Sequence, residues 1–256
     1  MVRPRVLILR VGGSNCDRET EWAFSLAGAL PERVHINRLK EGSKKLNDYQ
    51  VLVIPGGFSY GDDISAGKVL ANEIRHNLKE EINRFIEEKK PVIGICNGFQ
   101  ALVKAGILPW NGQQVVSLGW NDSARFEDRW VYLKIEGTVS PFFKGLPPVI
   151  KLPVAHAEGK FIPEDDDVLA KIEKENLVIF RYCDLDRSLK GYPYNPNGSV
   201  NNIAGISSPD GLIVGMMPHP ERAILKYYYP DWQNEKDRED TGYGLIFFRN
   251  IVRYCR

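Results

Sequence analysis

With 256 residues, 43% hydrophobic and 26% charged, the chain has the composition of a globular protein that can bury a sizeable core within one domain spanning residues 1–256. Its 34 basic residues balance 33 acidic ones to a formal charge of +1, which excludes a global field drawing it to nucleic acid or to an anionic membrane. The apolar run in "MVRPRVLILRVGG" is too short for a secretory signal, no stretch approaches a membrane span, and four cysteines at 16, 96, 183 and 255 fit neither a disulfide framework nor a zinc site. A cytoplasmic protein with reduced thiols and no bound metal is expected.

In chain order, "RVLILRV" (5–11) predicts a buried strand, followed by the loop Gly12-Gly13-Ser14-Asn15. A helix is expected from about Asp17, with Trp22, Leu26 and the neighbouring alanines on its buried face. "RVHINRL" (33–39) and "YQVLVIPGG" (49–57) predict two more strands, and one long helix is expected over 64–89. "PVIGIC" leads into a helix over 97–104, closed by Gly106 and Pro109. Alternating strand and helix at this spacing predicts a parallel sheet covered on both faces.

Beyond Gly112 the pattern changes. "QQVVSL", "WVYLKI", "VIKLPVA", "LVIFRYC" and "GLIVGMM" are short strand-like runs between Gly, Pro and Asn turns, so this half is expected to pair antiparallel or to extend the sheet. "IFFRNIVRYC" has helical spacing, and "DWQNEKDREDTG" (231–242) is expected to form a mobile surface loop.

Three stretches can carry chemistry. In "VIGICNGFQAL" the Gly-x-Cys-x-Gly spacing matches a nucleophile elbow, a strand-to-helix turn so sharp that glycines must flank the crest residue. Cys96 is thereby presented at the carboxyl edge of the sheet, beside helical N–H groups and the positive dipole end, where an anionic sulfur or an oxyanion is stabilised. "GMMPHPERA" offers His219 and Glu221 two residues apart on a proline-stiffened turn, as a base and the carboxylate that orients it. "VIPGGFSYGDDISAG" lacks the lysine and hydroxyl of a phosphate loop, and is suited instead to bring the N–H of Gly57 or Phe58 against an oxyanion beside Cys96. Cys16, in "GGSNCDRE", follows a strand too, but lacks the glycine spacing and a histidine-carboxylate pair of its own. It is read as part of a capped helix start, on a partner-facing surface.

Together these stretches resemble the class I, or triad, glutamine amidotransferase family. "GICNGFQALVKAGILP", "NDSARFEDRWVYLKI", "AHAEGKF", "YPYNPNGSVNNIAGI" and "MPHPERA" resemble more narrowly the family of glutaminase subunits of phosphoribosylformylglycinamidine synthase. The resemblance runs from the first strand to the last helix, and the length matches a stand-alone subunit. It implies an α/β fold with an open, mostly parallel, flavodoxin-like sheet flanked by helices and further antiparallel strands in the second half. It also implies Cys96 as nucleophile, His219 as general base and acid, Glu221 as the orienting residue, Gly57 and Asn97 as oxyanion amides, and Gln100 as a contact to the amino-acid end of glutamine.

The same resemblance implies hydrolysis of glutamine through a cysteinyl thioester, with ammonia delivered for purine synthesis. Within this chain no cofactor is implied. ATP and magnesium belong to a large synthetase subunit, with a small accessory subunit as a further partner. Ala157 stands where the family pattern leads one to expect glycine, and His156 is read as a structural or interface histidine. The triad alone also fits the glutaminase of another synthetase, a related cysteine hydrolase, or an interaction subunit that has lost the chemistry.

Overall fold

The computed structural model describes residues 2–234 and 240–256. Its elements run β1 (Arg5–Arg10), α1 (Asp17–Ala27), β2 (Leu30–His35), α2 (Ile36–Lys40), β3 (Val51–Ile54), α3 (Lys68–Asn77), α4 (Lys79–Glu87), β4 (Val92–Ile95) and α5 (Asn97–Lys104). The second half adds β5 (Val116–Trp120), β6 (Glu127–Ile135), β7 (Val149–His156), β8 (Glu158–Pro163), α6 (Asp166–Lys174), β9 (Val178–Cys183), β10 (Ile203–Ser207), β11 (Ile213–Met216) and α7 (Tyr243–Tyr254).

Among the described residues, nine strands form one sheet in the order β2-β1-β3-β4-β11-β10-β9-β6-β7, and β5 pairs with β8 in a small ribbon. The neighbours from β2 through β11 are parallel, and those from β11 through β7 are antiparallel. The expected parallel sheet and the antiparallel extension are therefore one continuous surface. β1, β3, β4 and β11 are buried on both faces, which is why they read as unbroken aliphatic runs rather than alternating ones.

This topology fixes where a ligand can sit. From β1 the chain crosses to β2 on one side and then to β3 on the other, so the strand order reverses at β1 and β3, the place where open α/β sheets bind ligands at the carboxyl edge; the loops leaving these two strands are joined there by a bridge between Ser14 and Gly57. The turns after β1, β3, β4 and β11 carry Cys16, Gly57, Cys96 and His219 respectively. Residues from four distant parts of the sequence thus meet at one edge.

Several local expectations require correction. On α1 the buried residues are Asp17, Thr20, Ala23 and Phe24, while Trp22 is 51% exposed and Leu26 lies at the surface. The helix packs through its small residues and Phe24, whose ring meets Phe248 of α7 edge to face at 4.9 Å. The run over 33–39 is strand only to His35, after which Ile36–Lys40 turns helical with His35 capping the Asn37 amide. The single helix expected over 64–89 is two, broken at Leu78, whose φ of −126° leaves the helical region. β8, β10 and α6 lie outside the elements that the sequence pattern predicts.

All four cysteines are free, and no described helix is long and apolar enough to cross a membrane. The loop expected over 231–242 lies in part outside the described residues.

Candidate active site

The elbow at Cys96 follows from sterics. A Cβ on Gly98 would lie 1.9 Å from the Ile54 carbonyl oxygen, and one on Gly94 would lie 2.8 Å from the Gly98 oxygen, so β3, β4 and α5 approach as closely as they do only because both are glycine. Cys96 itself holds φ 50° and ψ −104°, a conformation that costs a non-glycine residue of order 1–3 kcal/mol. Its amide donates to the Met216 carbonyl at 2.7 Å, tying the crest to the end of β11, and every residue of α5 is buried. The sulfur lies 3.6 Å from the Ala155 carbonyl oxygen.

His219 leaves β11 on a turn held by its amide, which donates to the Pro153 carbonyl of β7 at 2.8 Å. Its Nδ1 lies 2.6 Å from Glu221 Oε1, and both residues are 1% exposed. Burial opposes charge on the ring, but the Glu221 carboxylate and the sulfurs of Cys96 and Cys16 outweigh it and raise the imidazole well above its ordinary range. The ring therefore holds a proton readily, with Nδ1 committed to Glu221 and Nε2 without a hydrogen-bond partner among the described residues.

Cys96 lies at the junction of two cavities. The larger, of about 290 Å³, is lined by Gly57, Phe58, Asp62, Gln100, Trp120, His156 and Glu158. A smaller one of about 170 Å³ joins Cys96 and His219 to Cys16, Arg222 and Asp128. The larger pocket has a polar floor. Asn97 accepts from the Ser59 amide and donates to Asp62 and to Gln100 Oε1, both at 3.0 Å, while Gln100 donates to the Glu158 carbonyl. Burial raises the Asp62 carboxyl above its usual range, against the Gly67 and Asn97 donors.

Lys104, at the far end of α5, donates to Ser65 Oγ and the Ala66 carbonyl and lies 3.6 Å from Glu158, whose carboxylate accepts the Ala66 amide. Burial lowers this ammonium despite Glu158. Neither Lys104, Glu158 nor Asp62 was singled out in the sequence, although a lysine inside the apolar run "FQALVKAG" is a signal of a buried partner.

The sequence-derived residues are brought together with some adjustments. Of the two amides offered by the glycine loop, that of Phe58 is donated to the Gly13 carbonyl at 3.0 Å, which leaves Gly57. Gly57 has φ +145°, and a Cβ there would meet Gly13 O at 2.7 Å. Asn97 sits at the first position of α5, with its side chain in the network above. Gln100 lines the pocket, but both ends of its amide are engaged by protein. His156 is buried as well, donating from Nδ1 to Asn121 Oδ1 at 3.1 Å, and burial with the nearby His219 charge lowers its pKa to about 3. A neutral ring thus forms part of the pocket wall.

Cys16 is the main correction. It is neither exposed on a partner surface nor a helix cap through its side chain, and it is not remote from a histidine-carboxylate pair. It is 2% exposed, accepts from Arg222 Nη2 at 3.2 Å, and offers its sulfur within 4.8 Å of ligand atoms of His219 and Glu221. Burial raises its thiol above the ordinary range, with the nearby His219 ring opposing.

Comparison with known proteins identifies the family. Residues 3–255 match the family model of the CobB/CobQ-like glutamine amidotransferase domain. A relative from Dehalococcoides mccartyi, named phosphoribosylformylglycinamidine synthase subunit PurQ, is 46% identical over 100% of this chain and 99% of its own length. A protein of the same name from Picrophilus torridus is 42% identical over 96% of both. Among solved structures, a chain of PurLQS from Thermotoga maritima is 31% identical, with a TM-score of 0.76 and complete coverage of both chains.

Proposed function

The chain belongs to the CobB/CobQ-like glutamine amidotransferase domain family, and we propose that within it the protein is the glutaminase subunit of a phosphoribosylformylglycinamidine synthase. Full-length likeness to subunits of that name supports the choice of synthase. One observation carries the chemistry: His219, held by the buried Glu221, shares a cavity with Cys96 at the crest of a strained elbow.

Glutamine occupies the larger pocket with its carboxamide carbon against Cys96 Sγ. Attack by the thiolate forms the carbon–sulfur bond and pushes charge onto the carboxamide oxygen, where the amides of Gly57 and Asn97 receive it. Each such donor contributes on the order of 3 kcal/mol in the transition state. His219 gives its Nε2 proton to the departing nitrogen, the carbon–nitrogen bond breaks, and ammonia leaves a γ-glutamyl thioester. The same nitrogen then takes a proton from water as it attacks the thioester, releasing glutamate and restoring Cys96. Glu221 holds the ring in register throughout, and Gln100 shapes the wall toward the amino-acid end.

This chemistry needs no cofactor in this chain. The ammonia passes to a large synthetase subunit that uses ATP and magnesium to convert formylglycinamide ribonucleotide to formylglycinamidine ribonucleotide in the cytoplasm, with a small third subunit completing the assembly. The named assembly of the Thermotoga maritima relative supports a multi-subunit setting.

Substitution Cys96→Ser is the direct test. Glutamine hydrolysis is expected to disappear while the far-ultraviolet circular dichroism and thermal midpoint remain those of the parent, and undiminished ammonia release from this variant would overturn the assignment. Hydrolysis by the unsubstituted chain is expected to rise when the synthetase subunit, its acceptor and ATP are added.

A further inference from the structure

We propose that Asn121 is a positioning residue of the glutamine pocket: its carboxamide seats the wall over residues 156–159 beside Cys96 and Gln100 and sets the His156 ring with its proton on Nδ1. The role joins two stretches that the hydrolytic steps leave unused, the turn "NDS" after β5 and the segment "AHAEGKF" that carries β7 into β8.

Asn121 is buried, and most of its hydrogen bonding goes to that segment. Its amide donates to the Ala157 carbonyl at 2.8 Å, and Nδ2 donates to the carbonyls of His156 at 2.8 Å and Arg125 at 2.9 Å. Oδ1 accepts from the Gly159 amide at 3.2 Å and faces His156 Nδ1 at 3.1 Å. The segment in turn borders the reacting end of the pocket. The Ala155 carbonyl oxygen lies 3.6 Å from Cys96 Sγ, and the Glu158 carbonyl accepts from Gln100. Displacing the segment therefore moves groups against both the sulfur and Gln100, and a shift of about 1 Å at such a place can cost about a hundredfold in rate.

The same network settles the state of the ring. Nδ2 faces two carbonyls, which only accept, so the carboxamide has one workable orientation and its oxygen is the atom that meets Gly159 and His156. An acceptor oxygen requires a donor, so the ring proton sits on Nδ1 and Nε2 keeps its lone pair. Nε2 is buried and has no hydrogen-bond partner among the described residues. A Cβ on Gly159 would lie 2.5 Å from both Cε1 and Nδ1, so the ring fits against this segment only because residue 159 is glycine. Burial first, then the charges of His219 and Arg129, keep a second proton off the ring, and Glu127, opposite His156 in register, is already paired with Arg129. A second proton would place a cation in the wall of a pocket that has to receive the ammonium of an amino acid.

The kinetic part rests on the glutaminase reading and the state of the ring does not, so the two are measured separately. Imidazole nitrogen–proton correlation spectra of the full chain, labelled with ¹⁵N at histidine, are recorded for the parent, Asn121→Asp and His156→Gln, the last identifying the His156 signals by their loss. The parent is expected to carry the His156 proton on Nδ1 and to show no titration between about pH 5 and 8. Asn121→Asp keeps the size of the side chain but turns an oxygen toward two carbonyls and sets a carboxylate beside Nδ1, so its His156 is expected to titrate within that range. A parent ring with its proton on Nε2, or a ring that titrates alike in the parent and in Asn121→Asp, overturns the seating.

Glutamine hydrolysis is then compared in Asn121→Asp and Asn250→Asp. Asn250 Nδ2 also donates to two carbonyls, those of Phe142 at 2.9 Å and Lys144 at 2.8 Å, among residues that line neither cavity at Cys96. Asn250→Asp thus repeats the same electrostatic change away from the pocket. Asn121→Asp is expected to raise KM for glutamine roughly tenfold or more and to lower kcat by less, whereas Asn250→Asp is expected to lower the thermal midpoint and leave KM unchanged. A KM unchanged in Asn121→Asp, or raised equally in both variants, overturns the positioning role. A parent with no hydrolysis at all overturns the glutaminase reading and with it the kinetic role, and the spectra alone then decide whether Asn121 seats His156.

Discussion

His219 Nδ1 meets Glu221 Oε1 at 2.6 Å inside a turn that buries both side chains. Because they are two residues apart on a segment opened by Pro218 and stiffened by Pro220, the pair is set locally, and the rest of the fold only has to place it beside Cys96. Glu221→Gln preserves the shape and removes the charge that holds the ring proton. Glutamine hydrolysis is expected to fall by roughly three to four orders of magnitude, mainly in kcat, with KM little changed. Steady-state ammonia release measures this, and a loss below tenfold would mean that Glu221 does not orient the base.

His156 gives the molecule an acid liability. Burial, and then the neighbouring His219 charge, depress its pKa from 6.5 to about 3. The native state therefore refuses a proton that the unfolded chain accepts, so the stability associated with the neutral ring is full above pH 6.5 and is lost as pH falls from there toward 3. Urea unfolding across this range is expected to show the parent losing on the order of a few kcal/mol relative to His156→Gln, which can keep a donor to Asn121. A difference independent of pH would show that His156 is protonated alike in both states.

What the sequence discloses is what short-range sterics determine. Gly94, Cys96 and Gly98 announce the elbow because the conflict they avoid lies within a few residues and one neighbouring strand, and His219 with Glu221 is visible for the same reason. The aliphatic strands of the parallel half are likewise legible from burial on both faces. Contacts that depend on strand order are not. Cys16 reaches His219 across 202 intervening positions only because β11 inserts beside β4, so a local reading assigns it no partner. Lys104 looks like the polar edge of a helix until the loop over residues 62–67 closes on it. The break at Leu78 carries neither glycine nor proline, and the charged face on either side continues the helical period.

The same sterics make Gly98 a stability test separable from chemistry. A methyl group there would lie 1.9 Å from the Ile54 carbonyl oxygen and 2.6 Å from its carbon, both backbone atoms that move only if β3 and α5 separate. Gly98→Ala is expected to destabilise the fold by about 3 kcal/mol or more, at or beyond the upper end of ordinary overpacking. Gly112→Ala, whose nearest neighbour would be 3.8 Å away, is expected to be close to neutral. Thermal or urea unfolding of the two variants compares them, and equal stability would remove the close approach as the reason for glycine.

The Lys104–Glu158 pair links the pocket wall to stability. Both side chains are 9% exposed, and the glycine-loop residue Ala66 is clamped between them, its carbonyl held by Lys104 at 2.6 Å and its amide by Glu158 at 3.1 and 3.2 Å. Lys104→Met leaves a buried carboxylate with an amide donor but no counter-charge, and is expected to cost about 3–5 kcal/mol. Lys104→Met with Glu158→Gln removes both charges together and is expected to cost less than the two single substitutions added, because each single variant strands the other's charge. Ser65 and Ala66 line the larger cavity, so the loosened loop is also expected to raise KM for glutamine more than it lowers kcat. Additive stability changes would show that the pair is not coupled, and an unchanged KM would place glutamine elsewhere than against this loop.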